Sequence, residues 1–239
     1  MFTHPSESYL IFEDRLTKAD GTAYANADEV ALTNNAIMHL FSRIKDHLSN
    51  QLIESLSYPG QATTMLGLLK YPDGFSKVQG LNQMWYKDTV TTATKADNNE
   101  FAARHAYLSQ SPTVKGTFYF RIPLKHIFGF CEDYEKIVYA LKHSLTLVRK
   151  TDADAIFRGS EKFSIYKTIE TNIKLPVAYR TRQCDMLSVL ELTSFIWRLS
   201  VKTEPKNLKF IIVGFQTDKD GDQTKNPSTF DHVNLKMLM

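Results

Sequence analysis

Residues 118–125 alternate without a break: Phe118, Phe120, Ile122 and Leu124 are apolar, and Tyr119, Arg121, Pro123 and Lys125 fall between and after them. Successive side chains of an extended chain point to opposite faces, so this period predicts a half-buried strand with the four apolar groups inward. Proline cannot donate to a ladder, which puts Pro123 at a strand end, an edge or a bulge. Burying each apolar side chain contributes about 1.5–3 kcal/mol before the entropy of ordering, so folding alone explains the stripe and no ligand is needed. His126, beyond the stripe, is expected to be an ordinary structural or surface histidine.

The same reading carried along the chain predicts a strand over residues 9–16, with Ala19-Asp20-Gly21-Thr22 as the turn after it. Over residues 30–56 two periods compete. Ile37, Leu40, Phe41, Ile44 and Leu48 suit one helix face, whereas Met38, Leu40, Ser42 and Ile44 alternate and Ser49-Asn50 suits a hairpin turn. Pro59-Gly60 closes that segment, residues 61–71 read as a helix, and Pro72-Asp73-Gly74 ends it. Residues 89–99 are polar and irregular, an exposed loop. EDYEKIVYAL, with Tyr134, Ile137, Val138 and Leu141, predicts a helix, and HSLTLVRK a strand. Ser160 suits the cap of a second helix carrying Phe163, Tyr166 and Ile169. IKLPVAYRTR, TSFIWRLSVK and LKFIIVGFQT predict three further strands, with Pro205-Lys206-Asn207 as the turn between the last two. Strands separated by short helices and turns predict a sandwich rather than alternating βαβ units.

Composition agrees. A 239-residue chain with 43% hydrophobic residues can bury a real core, and 12% aromatic residues favour a sheet protein. A formal net charge of +3 is too small to argue for nucleic-acid binding. Cys131 and Cys184 are too few for a disulfide scaffold and form no Cys-x-x-Cys, so a reducing compartment is expected. The opening MFTHPSESYLIFEDRL lacks a basic-then-apolar leader, and no run approaches about 18 apolar residues. The expectation is a virion or intracellular protein, neither secreted nor membrane-bound. The triplet Asn226-Pro227-Ser228 carries the proline that blocks glycosylation.

Chemistry-bearing motifs are sparse. DKDGDQTK spaces Asp218, Asp220 and Asp222 as calcium-loop carboxylates are spaced, but Gly221 comes fourth instead of sixth and Thr229 stands twelfth, where a glutamate is needed. A solvated loop is the expectation. Gly-x-Ser-x-Gly and Gly-x-x-x-x-Gly-Lys are both absent. Among His4, His39, His47, His105, His126, His143 and His232 there is no His-x-His pair, which weighs against a metalloenzyme. Arg121, Lys125, Arg149, Lys150, Arg180 and Arg182 flank strands and read as a solvated outer face rather than as phosphate contacts. No catalytic, cofactor-binding or metal-binding residue is therefore expected.

Three longer runs carry a resemblance: PGQATTMLGLLKYPD, GTFYFRIPLKHIFGFCEDYEKIVYALKHSLTLVRKTDADAIFR and NLKFIIVGFQTDKDGDQTKNPSTFDHVNLK. They resemble the double jelly-roll domain of virus-derived proteins in invertebrate genomes, which is similar to the major capsid proteins of polinton-like DNA viruses. The resemblance covers most of residues 7–236. It implies an all-β jelly-roll sandwich with short helices in its inter-strand loops, a strand hairpin over residues 36–56, and a helix over residues 61–70. It also implies a structural, capsid-like protein acting by self-association, with a trimer as the unit in full-length relatives and no catalysis. The alternative is a host-domesticated binding module that recognises carbohydrate or protein through loops such as residues 89–99, and a jelly-roll enzyme stands third.

Two departures from the family pattern bear on that expectation. Only Gly159 stands between Arg158 and Ser160, where relatives carry a further strand with a Trp-x-Met-Pro-His-like run, and the chain stops at Met239, where relatives continue into a second jelly roll. The expected layout is a first barrel over residues 1–217, a connector over 218–230 and the truncated start of a second barrel over 231–239. Leu235, Met237, Leu238 and Met239 would then lack a cover, so irregular association is expected in place of a defined trimer.

Overall fold

Antiparallel strand pairs carry the frame. The computed structural model describes residues 2–110, 114–159, 162–165, 184–188, 197 and 211–231. In chain order these form β1 (Phe2–Thr3), β2 (Tyr9–Lys18), β3 (Val30–Leu32), α1 (Ala36–His39), β4 (Phe41–Leu48), β5 (Gln51–Ser57), α2 (Pro59–Lys70) and α3 (Asn99–Ser109). There follow β6 (Thr117–Pro123), α4 (Gly129–Asp133), β7 (Val138–Tyr139), β8 (His143–Arg149), β9 (Ile156–Arg158) and β10 (Phe163–Ile165). Two three-stranded sheets, β10-β2-β6 and β5-β4-β8, are joined by two small ladders, β1-β7 and β3-β9.

One core lies between the larger sheets. Phe12, Leu16, Phe118, Phe120 and Ile122 come from the first, and Phe41, Ile44, Leu48 and Leu56 from the second, all buried in one cluster. The Phe12 and Phe41 rings meet edge to face at 6.2 Å across the gap. This is the sandwich that the alternating pattern predicted. β6 buries Phe118, Phe120 and Ile122 and ends at Pro123, and Leu124 follows them into the core. The turn after β2 is where it was expected, with Gly21 at φ 85°. Gly116, before β6, has φ 86°, and a Cβ there would lie 2.3 Å from the Leu16 carbonyl oxygen, so only glycine fits.

Between β4 and β5 the turn is Ser49-Asn50, at φ 42° and 65°. Two positive φ values match a two-residue hairpin turn whose twist suits the flanking strands. The strand period therefore wins over residues 41–57. It does not win over residues 36–39, where the hairpin expectation is corrected to a single helical turn, α1. There the chain leaves the β3-β9 ladder for the central strand of a larger sheet, and a tight turn lets Ala36, Ile37, Met38 and His39 all be buried.

Other expectations are corrected by partners distant in sequence. Pro59-Gly60 opens α2 instead of closing the preceding segment, because proline presets the helical φ at the first position. EDYEKIVYAL is not a helix. α4 stops at Asp133, Ile137 is 63% exposed, and Val138-Tyr139 pair with Thr3 and Phe2. The helix expected to carry Phe163 is a strand there, since residues 163–165 pair with Leu16, Thr17 and Lys18 and bury Phe163 and Ile165. Ser160, Tyr166 and Ile169 lie outside the described residues, as do residues 173–182, the turn at residues 205–207 and, apart from Trp197, residues 193–202.

Residues 211–217, expected as the end of a strand, form none. Their hydrogen bonds go to residues 227–231 instead: Asp231 N–H donates to the Phe215 carbonyl at 2.8 Å, and Thr217 N–H to the Asp231 carboxylate at 2.7 Å. α3 answers to no sequence expectation. Its cap is Asn98, whose side chain accepts from Phe101 N–H at 2.8 Å, and its inward face is Phe101, Arg104, His105 and Leu108.

Candidate functional site

Asp220 and Asp222 of the acidic run turn to separate protein partners. Asp222 accepts from the backbone and hydroxyl of Thr224 at 2.9 and 2.6 Å, a local turn that holds its carboxyl below the usual range. Asp220 faces Lys150 at 3.5 Å, and Lys150 also pairs with Asp154; burial, then the Asp154 carboxyl, raises Asp220. Lys219 is buried and donates to the Thr229 carbonyl at 3.0 Å and to Asp231 at 2.6 Å. Two lysines thus stand among the carboxylates. We expect millimolar calcium to leave the melting temperature unchanged; a rise that vanishes in Asp220→Ala would contradict this arrangement.

The described members of the strand-flanking basic set, Arg121, Lys125, Arg149 and Lys150, have protein neighbours. Arg121 lies 3.5 Å over the Tyr9 ring, Lys125 pairs with Glu7 at 3.3 Å, and Arg149 with Asp152 at 3.4 Å. Arg180 and Arg182 lie outside the described residues. His126 donates from Nδ1 to Gln83 Oε1 at 2.7 Å, and His105 at Nδ1 donates to the Val30 carbonyl at 2.7 Å. Both fill structural roles.

His39 is different. It is fully buried on α1, pressed against Gly60 so closely that a Cβ there would sit 2.5 Å from its ring, and neither ring nitrogen has a hydrogen-bond partner. Burial, reinforced by Lys150, lowers its pKa from 6.5 to about 3. Below pH 6.5 the unfolded chain therefore takes up a proton that the folded chain refuses, and stability falls as pH falls. The expected loss is about 1.4 kcal/mol per pH unit, or roughly 2 kcal/mol by pH 5. Asp220, raised in the fold, acts in the opposite sense at lower pH. Denaturation of the parent and His39→Gln between pH 7.5 and 5 checks this; parallel curves would contradict a neutral buried His39.

Three donors that the sequence spaces far apart do meet. Asp46 on β4, Cys131 on α4 and His143 at the start of β8 bring a carboxylate oxygen, a sulfur and an imidazole nitrogen within 4.8 Å of one another. His143 Nε2 lies 2.5 Å from Asp46 Oδ1, and the Cys131 thiol donates to Asp46 Oδ2 at 3.7 Å. Asp46 and Cys131 are fully buried, and the His143 side chain is 7% exposed. Ladder geometry makes the meeting: His143 stands opposite Leu48, and Asp46 is two residues back on the same face of β4. On the other side the β4-β5 register skips Ile53, which sets Glu54 opposite Asp46. Glu54 is buried and accepts from Phe130 N–H at 3.1 Å, fixing the turn that carries Cys131. Sequence reasoning missed this group because no two of its members are near in sequence.

A second buried polar group ties the later segment to the barrel. The Arg104–Asp88 pair, 2.7 Å apart, has no side-chain exposure, and Asp88 also accepts from Asn226 at 2.7 Å and Ser228 at 3.3 Å.

With two antiparallel sheets over one core and helices confined to connections, the chain matches the model of the double jelly roll-like domain over residues 30–163, more than half its length. It belongs to that family. No curated protein and no solved structure matches it. The matched span runs from β3 to the start of β10 and includes every member of the Asp46 group. Membership establishes the jelly-roll class of this double jelly roll-like protein. Domains of this class are typically structural.

Proposed function

We propose that this double jelly roll-like protein is a structural, capsid-type component of viral origin that acts by self-association in a virion or inside a host cell. The observation that supports this reading best is the outward face of β2 and β6. Tyr9, Ile11 and Tyr119 are 43%, 45% and 50% exposed there, and the register sets Ile11 opposite Arg121 and Glu13 opposite Tyr119. Aromatic and aliphatic groups with an arginine among them are the composition that interface centres favour. The Arg121 guanidinium already lies over Tyr9, so part of its ordering entropy is spent before any partner arrives. Light scattering after size exclusion, with electron microscopy of the same fractions, tests the reading. The expected result is a mass that rises with concentration, with irregular association rather than uniform tiles. Ile11→Lys with Tyr119→Lys should return the chain towards monomer without changing its melting temperature much, because both positions are exposed. A parent that stays monomeric at every concentration would overturn the proposal.

A further inference from the structure

We propose that Asp46, Cys131 and His143 form a binding site for a zinc-class divalent cation, which ties α4 to the β5-β4-β8 sheet. The donor set argues for the metal class: one thiolate, one imidazole and one carboxylate suit a soft to borderline ion, while calcium and magnesium prefer oxygen alone. Spacing argues for the fit. Zinc bonds of about 2.3 Å to sulfur and 2.0–2.2 Å to oxygen, at tetrahedral angles, separate those two donors by about 3.5 Å, close to the 3.7 Å found between Cys131 and Asp46. The 2.5 Å contact between His143 and Asp46 is a hydrogen bond and must open by under ~1 Å to admit the ion.

Charge argues in the same direction. Asp46 and Glu54 face each other across the ladder, both buried, with the Cys131 thiol beside Asp46 and a single imidazole among them. A cation placed among buried acidic groups balances their charge where water cannot. A dication with one thiolate, one carboxylate and a neutral imidazole sums to zero charge. Glu54 completes the support by holding the Phe130 N–H next to Cys131, as residues outside a metal's own ligands commonly orient them. Three protein donors leave a fourth position for water. On binding, the thiol proton is released to solvent and the Nε2 proton of the neutral imidazole moves to Nδ1, which frees Nε2 for the ion.

The test uses the full chain, stripped with chelator and then titrated with cobalt(II) and with zinc. The expected result is one cobalt per chain with a thiolate-to-cobalt charge-transfer band, displaced by zinc, and a higher melting temperature with zinc than with chelator. Cys131→Ser and His143→Gln should each weaken binding ~10-fold or more, whereas Cys184→Ser should leave the band intact. Circular dichroism establishes that each variant is folded before titration. A parent chain with no charge-transfer band overturns the proposal regardless of any variant, and so does binding of undiminished affinity in folded Cys131→Ser.

Discussion

Asp88→Ala is expected to lower the unfolding free energy by about 3–5 kcal/mol, a large part of the roughly 5–15 kcal/mol that holds a domain folded. The reason is what it leaves behind. Arg104, fully buried on α3, spends its Nε on the Leu32 carbonyl at 2.7 Å and Nη1 on the Tyr86 carbonyl at 3.3 Å, and its charge is balanced by Asp88. Without that carboxylate an unpaired guanidinium stays in the interior, and Asn226 and Ser228 lose their acceptor. The loss should appear twice. Urea denaturation should shift to lower midpoint, and limited proteolysis should cut residues 217–231 faster. Arg104→Met added to Asp88→Ala should recover much of the midpoint, since removing both charges costs less than orphaning one. A single variant that denatures with the parent would show that the pair is hydrated.

Phe120→Asp carries the other large effect. Phe120 is 1% exposed, stacked on Phe118 at 5.5 Å and on Tyr107 at 5.7 Å, and paired in register with Phe12. Losing the ring alone is worth about 3–5 kcal/mol, and the introduced carboxylate adds its desolvation. The variant should be largely unfolded at 25 °C by near-ultraviolet circular dichroism. Tyr119→Lys, one residue away but half exposed and opposite Glu13, should cost less than about 1 kcal/mol. Equal losses in the two variants would refute the inward and outward assignment of β6.

The contrast between those two neighbours was readable in the linear sequence. Period two needs only the local chain, and it placed β2 and β6 because each has one face on a core and one towards solvent, whereas β8 is a strand with Leu145 and Leu147 only half-buried and Ser144 buried on the other face. Turn chemistry was legible for the same reason, since Ser49-Asn50 and Gly21 answer to backbone angles that few residues tolerate. α3 was not read from the sequence, although Asn98 followed by Phe101, His105 and Leu108 carries a cap and a helical spacing.

What the tertiary structure alone decided are the places where a partner lies far along the chain. Helical spacing in EDYEKIVYAL gave way to pairing with residues 2–3, and the helix expected at Phe163 gave way to pairing with β2, because ladder hydrogen bonds and burial outweigh a weak local propensity. Residues 36–39 became one helical turn because the chain had to pass from one ladder to another with all four side chains inside. The polar interior followed the same rule. Asp46, Cys131 and His143 meet only through ladder register and the position of α4, and Asp88 reaches Asn226 across 138 residues. Sequence patterning determined which residues face inward; only the register of strands distant in sequence determined which buried polar groups face one another.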